Sequence, residues 1–138
     1  MSNRLLALVF CAPLVVACGE DPAGATGDPV DCGPEVTEVD VDVSITTNSV
    51  FFDWSPRCRV AMLIVEEGAG DVWAIGNEDS NSIEPPVTYG VAPAGVEEYG
   101  PEPLVAGRAY EVILWMTSAE GDRLLAVHPF TRPSSDSY

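Results

Sequence analysis

Cysteine and histidine are the side chains of this sequence with the greatest capacity for covalent or metal chemistry. The 138 residues include four cysteines and one histidine. A catalytic cysteine or serine needs a neighbouring base, and His128 is the only imidazole available, while no G-x-S-x-G sequence marks a serine nucleophile. We therefore predict a protein that is not an enzyme, with His128 at the rim of a strand.

Cys18 lies at the end of an apolar segment. Residues 5–17 form an apolar run after a short, positively charged start, which is the pattern of a signal peptide. As a helix this run would rise only about 20 Å, which is too short to cross a bilayer. We therefore predict that residues 1–17 are a signal peptide, removed on export.

The residues before the cut, Val15-Val16-Ala17-Cys18, resemble the lipobox of bacterial lipoproteins. The resemblance implies that signal peptidase II cuts before Cys18 and that the lipidated Cys18 anchors the protein to a membrane of the cell envelope. It also implies the outer membrane, because the next residue is Gly19 and not the aspartate that retains lipoproteins on the inner membrane. The alternative is an ordinary secretory signal that is cut elsewhere within residues 17–25.

Cys32 and Cys58 are the thiols that remain once the signal peptide is removed and Cys18 is acylated. In an exported protein such thiols pair, so we predict a Cys32–Cys58 disulfide. In the chain-entropy model, closing this loop stabilises the fold by about 3 kcal/mol. Two cysteines without a second histidine or cysteine cannot complete a closed zinc site.

The charge of the chain is strongly acidic. It has 22 aspartates and glutamates against six arginines and no lysine, which gives a formal net charge of −16. Such a balance repels nucleic acid and anionic lipid headgroups, so neither is expected as a direct partner. A basic protein or a divalent cation is compatible with it, and so is the simpler alternative that the charge provides solubility.

The acidic residues could provide oxygen ligands for calcium. Asp40 and Asp42 project from one face of a strand, and Glu78 and Asp79 share a loop. These are the ligand types that Ca²⁺ prefers, but the sequence has neither an EF-hand loop nor a nonapeptide repeat. We predict no cofactor and no metal site, with calcium at these four residues as the weaker alternative.

The elements that must position these residues are strands. Residues 18–34 are rich in Gly, Pro and Asp and read as a flexible tether, residues 35–133 as one domain, and residues 134–138 as a disordered tail. Within the domain, short apolar or alternating segments are separated by turn signals, which predicts an all-β fold of seven strands in a two-sheet sandwich. The predicted strands are Glu38–Ile45, Val50–Trp54, Val60–Val65, Val72–Ile75, Val87–Tyr89, Ala109–Met116 and Leu124–Phe130.

Two segments resemble fibronectin type III domains, which are immunoglobulin-like sandwiches. Trp54-Ser55-Pro56 is similar to the tryptophan and proline turn that ends their second strand, and residues 104–114 (LVAGRAYEVIL) match the leucine, glycine, tyrosine and alternating valines that lead into their sixth strand. Ala106 stands in place of the usual proline and Arg108 in place of the threonine. The resemblance implies that Tyr110 is a corner tyrosine, buried and with its hydroxyl bonded to a backbone group upstream.

One sheet of such a sandwich would be apolar on both faces. Ile113 and Trp115 alternate with the predicted core residues of the sixth strand, and two residues of Met62–Val65 would join them on the outer face. We predict that residues 76–107 fold over this face, with Val87, Tyr89, Val91 and Tyr99 as the cover, and the alternative is a partner protein. The residues predicted to form or shield a partner surface are Trp115, Ile113, Trp73, Tyr89 and Tyr99.

These observations predict a membrane-anchored envelope lipoprotein with a non-enzymatic binding or structural role. Its partners would be the membrane, through the lipid anchor, and another envelope protein or a glycan. The alternative is an accessory docking subunit of an envelope enzyme or transport assembly.

Overall fold

The computed structural model describes residues 30–134, which form an all-β structure. The predicted signal peptide, Cys18, residues 19–29 of the tether and residues 135–138 of the tail lie outside the described residues. Among residues 30–134 there is no helix of the length and apolarity that a membrane crossing requires.

Ten strands make up the structure, and most coincide with alternating or apolar segments of the sequence. The seven predicted segments each overlap one strand, and three further short strands are added to them. The strands are β1 (Val30–Asp31), β2 (Asp40–Ile45), β3 (Val50–Ser55), β4 (Cys58–Arg59), β5 (Met62–Glu67), β6 (Gly70–Gly76), β7 (Val87–Thr88), β8 (Glu97–Tyr99), β9 (Ala109–Ser118) and β10 (Gly121–Thr131).

The strands form three sheets. A five-stranded sheet has the order β10-β9-β5-β6-β8, a three-stranded sheet has the order β2-β3-β7, and β1 and β4 form a two-stranded parallel sheet. All neighbours in the two larger sheets are antiparallel. Crossovers join the two larger sheets, since β3 is followed by β5 of the other sheet and β7 is followed by β8.

One hydrophobic core receives side chains from both larger sheets. Phe52 on β3 meets Phe130 on β10 edge to face at 5.6 Å between ring centroids, and Phe130 stacks on Tyr110 of β9 at the same distance. Every second residue of β9 is buried, which is the alternation expected of a strand with one face in a core. The two sheets therefore enclose their apolar faces between them.

The predicted disulfide between Cys32 and Cys58 is present, with an S–S distance of 1.96 Å. It belongs to a small buried cluster in which the Cys32 N–H donates to the carbonyl of Arg59 at 2.9 Å, and the indole N–H of Trp54 donates to the carbonyl of Cys58 at 2.8 Å. An ion pair between Arg59 and Asp31 lies beside it, with Nε and Oδ1 2.7 Å apart. Residues 30–32 therefore belong to the folded structure, a few residues before the predicted domain boundary at residue 35.

The hydroxyl of Tyr110 has the partner expected of a corner tyrosine. The side chain is buried, and its oxygen accepts a hydrogen bond of 2.8 Å from the backbone N–H of Val105, five residues upstream. A tyrosine that merely filled the core would not need this bond. The predicted hydrogen bond is therefore confirmed.

The path of residues 76–107 differs from the one predicted. Val87 is buried in the core, and Tyr89 packs against Trp73 with 4.9 Å between ring centroids, while Val91 is 60% exposed and Tyr99 is 61% exposed at the sheet edge. The segment crosses to the three-stranded sheet, pairs there as β7, and returns to the five-stranded sheet as edge strand β8. The four residues predicted as a cover therefore do not cover Ile113 and Trp115.

Candidate binding face

The outward side of the five-stranded sheet carries a continuous row of apolar residues, one from each strand. Cross-strand pairing places Val127 beside Ile113, Ile113 beside Ile64, Ile64 beside Ala74, and Ala74 beside Tyr99. Paired side chains share a face of the sheet, at about 4.5–5.5 Å between Cβ atoms. The strand neighbours of Ile113, Ile64 and Ala74 are buried in the core, so this row points away from it.

A second apolar row runs beside the first. Leu124 on β10 pairs with Trp115 on β9, and Trp115 pairs with Met62 on β5. Leu124 is 42% exposed and Val127 in the first row is 48% exposed. We call the eight residues of the two rows the outer face: Val127, Ile113, Ile64, Ala74, Tyr99, Leu124, Trp115 and Met62.

Neighbouring side chains on this face shield one another from solvent. Ile113, Trp115, Ile64 and Met62 are therefore half-buried. The largest apolar patch on a protein surface is often a contact site. Ile113, Trp115 and Tyr99 of the predicted partner surface thus lie together on one face.

Trp73 and Tyr89 do not belong to the outer face. Trp73 is completely buried, and its indole N–H donates to the carboxylate of Glu98 at 2.9 Å. Tyr89 packs against it, and the Tyr89 hydroxyl donates to the carbonyl of Glu102 at 2.7 Å. Burial, followed by the influence of Tyr110 and then by the charge of Glu102, raises the pKa of Tyr89 to about 12. Trp73 therefore cannot contact a partner in the intact fold, whereas Tyr89 is only partly buried.

Acidic residues border the outer face at one end of the sheet. Glu66 of β5 pairs with Glu111 of β9 on one side and with Asp71 of β6 on the other. Desolvation raises the pKa of the Glu66 carboxyl, and the charge of Asp71, a hydrogen bond to Asp71 and the charge of Glu111 raise it further. The three carboxylates are therefore close enough to repel one another.

A second acidic border lies at the edge strand. Glu97 of β8 pairs with Gly76, next to Met62, and a shallow groove at this edge is lined by residues that include Glu78 and Glu97. The floor of this groove is formed by Met62, Ala74 and Tyr99 of the outer face. The apolar rows thus end in carboxylates at this edge as well.

All five arginines in the described part of the chain are engaged elsewhere in the fold. Two of them hold the chain through backbone carbonyls: Arg123 donates to Pro34 and Val36, and Arg132 to Thr46 and Thr47. The other three form ion pairs: Arg57 with Asp53, Arg59 with Asp31, and Arg108 with Glu67. None of the five belongs to the rows of the outer face.

The residues considered for calcium lie in different places. Asp40 and Asp42 project from β2 of the three-stranded sheet, whereas Glu78 and Asp79 follow β6 of the five-stranded sheet. Asp42 pairs across the strands with Asp53, and Oδ2 of Asp53 lies 3.2 Å from Nη1 of Arg57. In the described range, residues 30–134, no three Asp, Glu, His or Cys side chains are grouped as metal ligands.

His128 lies on β10 opposite Val112, beside a cleft formed with the start of β2. Within residues 30–134 its ring makes no hydrogen bond to a carboxylate or hydroxyl that would activate it. The absence of enzymatic activity stays a prediction.

Comparison with protein-family models, with curated proteins and with solved structures found no match to this chain.

Sequence reasoning left five members of the outer face unresolved or unnamed: Met62, Ile64, Leu124, Val127 and Ala74. Met62 and Ile64 are the two residues of the third predicted strand that face outward, and the phase of an all-apolar strand cannot be read from its sequence. Leu124 and Val127 were not predicted because a bulge near Leu125 shifts the register of β10.

Proposed function

We propose that this protein is a lipid-anchored, non-enzymatic binding module of the cell envelope, and that the outer face is its binding surface. The observation that carries the proposal is the pair of apolar rows on the outward side of the five-stranded sheet. A face of this kind lowers its free energy by contacting another apolar surface.

The fold belongs to the same proposal. We propose a fibronectin type III-like sandwich in which β2, β3 and β7 form one sheet and β6, β5, β9 and β10 form the other, with β8 added at its edge. The strand orders and the hydrogen bond from Val105 to Tyr110 support it. The disulfide ties residue 32 to this domain, so a tether from Cys18 would lead directly to the folded part.

Binding through the outer face predicts a complex that depends on Trp115. Membranes that carry the protein are dissolved in mild detergent, and the size of the particle is measured by gel filtration. The wild-type chain is expected to elute in a particle larger than one copy, and Trp115→Ser as a single copy with its anchor. A wild-type chain that elutes as a single copy, or a variant that keeps the larger size, argues against this surface.

The lipid anchor is tested separately. The intact mass of the mature protein is expected to equal residues 18–138, with one disulfide, plus the acyl groups on Cys18. A Cys18→Ser variant is expected to leave the membrane fraction. An unmodified mature N-terminus would show that the chain is exported without an anchor.

A further inference from the structure

The charges around the outer face indicate what kind of partner fits it. We infer that the partner is another protein whose contact surface has an apolar centre bordered by lysine and arginine side chains. This inference deepens the proposed function and rests on it.

The apolar rows are too small to form a protein interface alone, so the residues around them must also take part in binding. Two rows across five strands cover only about 300 Å², given strand and residue spacings in a sheet. A specific protein interface buries about 800 Å² on each partner. Any stable complex on this face must therefore extend beyond the apolar rows and over the residues that surround them.

Those surrounding residues are mainly acidic on two sides. Glu66, Glu111 and Asp71 adjoin the rows at one end of the strands, and Glu97 and Glu78 adjoin them at the β8 edge. The raised pKa of Glu66 reflects both desolvation and the repulsion among these carboxylates. Cationic side chains from a partner would relieve this repulsion, and neutral or acidic ones would not.

A second copy of this chain does not supply such cations. The chain has no lysine, and all five described arginines already make ion pairs or bind backbone carbonyls within their own copy. Face-to-face pairing of two copies would bring their acidic borders together, which is unfavourable. Anionic lipid headgroups meet the same repulsion, so the partner of this face is a basic protein surface.

The absence of lysine also provides the test. A water-soluble carbodiimide joins a carboxylate to a nearby amine as an amide and takes up the water as a urea. Applied to membranes that carry the full-length protein, it is expected to link Glu66 or Glu111 to a lysine, which must belong to another protein. Mass spectrometry of the linked peptides identifies both residues.

Two variants serve as matched controls. Ile64→Thr removes an apolar residue from the centre of the outer face and is expected to lower the yield of these links about tenfold or more, as truncation of a central interface residue does. Phe51→Thr makes the same kind of change on the outward side of the three-stranded sheet, where Phe51 pairs with Ser44, and is expected to leave the yield unchanged. Both variants place a threonine, which is β-branched and suits a strand, at the substituted position.

Three results would overturn the inference. In the first, outer-face residues are protected from hydroxyl-radical oxidation in membranes, but Glu66 and Glu111 link to no lysine. This result would contradict a basic partner and leave the proposed function standing. Dimers of the purified mature protein in sedimentation, lost in Ile64→Thr, would assign the face to a second copy. Protection of the face by vesicles of zwitterionic phosphatidylcholine alone would assign it to lipid.

Discussion

The backbone N–H of Val105 donates a hydrogen bond of 2.8 Å to the hydroxyl of Tyr110, which is buried between the two larger sheets. This bond fixes the chain just before β9, the inner strand that carries Ile113 and Trp115. The position of the outer face therefore depends on how firmly the start of β9 is held.

Tyr110→Phe is expected to destabilise the protein. The variant keeps the ring in the core but leaves the Val105 N–H without its partner, which costs about 1 kcal/mol in the free energy of unfolding. Urea denaturation of the purified mature protein measures the change. Tyr99→Phe is the control, because Tyr99 is 61% exposed, and it is expected to unfold like the wild type. Equal stability of Tyr110→Phe and the wild type would show that the hydrogen bond contributes nothing.

The two tryptophans of the five-stranded sheet are expected to respond in opposite ways to substitution. Trp73 is completely buried, so Trp73→Ser loses its packing and is expected to cost about 3–5 kcal/mol or prevent folding. Trp115→Ser changes the outer face, where Trp115 is only half-buried, and is expected to cost less than Trp73→Ser. Thermal melts of both variants test this. Unfolding of Trp115→Ser at ambient temperature would indicate that part of the chain covers the face.

The stability of the fold is expected to depend on pH through Glu66. Its pKa is raised in the fold, first by desolvation and then by Asp71 and Glu111, so the folded state binds this proton more tightly than the unfolded chain does. The resulting stabilisation is complete below the pKa of the unfolded chain and is lost as pH rises through the raised pKa.

The melting temperature of the wild type should therefore fall more with rising pH in this window than that of Glu66→Gln. Differential scanning calorimetry at several pH values measures both slopes. Glu120→Gln, in the turn between β9 and β10, is the control and should follow the wild type. Identical slopes for Glu66→Gln and the wild type would refute the effect.

Gly100 is expected to tolerate no side chain. It has a φ of +86°, and a Cβ built there would lie 2.6 Å from the carbonyl oxygen of Val72, which accepts the N–H of Glu102. Gly95 has a similar φ of +79° with no atom within 4 Å of such a Cβ. Both alanine variants incur left-handed strain of about 1–2 kcal/mol, and Gly100→Ala adds the collision. Chemical denaturation should rank it as the less stable, and equal stabilities would contradict this.

Much of the strand arrangement could be predicted because local patterns specified it. The alternation at residues 38–45 and 109–116 predicted β2 and β9, and export predicted the disulfide that the structure contains. The buried hydroxyl of Tyr110 also followed from a local motif. In each case the information lies within a few residues of the feature.

The parts that were not predicted depend on pairing between distant segments. Trp73 was predicted at a surface, but a register shift between Val65 and Glu66 lets both Val72 and Trp73 turn towards the core. Strand β8 forms by pairing with the edge of β6, and the proline-rich sequence of residues 76–107 does not predict this pairing. Residues 76–107 therefore entered the core and the sheet edge instead of covering the outer face.

Oxidative footprinting of Met62 and Trp115 tests most directly whether the outer face is bound in the envelope. Hydroxyl radicals oxidise both side chains where solvent reaches them, and Met116 is an internal control because it is 1% exposed. We predict that Met62 and Trp115 are oxidised in the purified mature protein and protected in intact membranes, while Met116 is protected in both. Equal oxidation of Met62 and Trp115 in the two preparations would contradict the proposed binding surface.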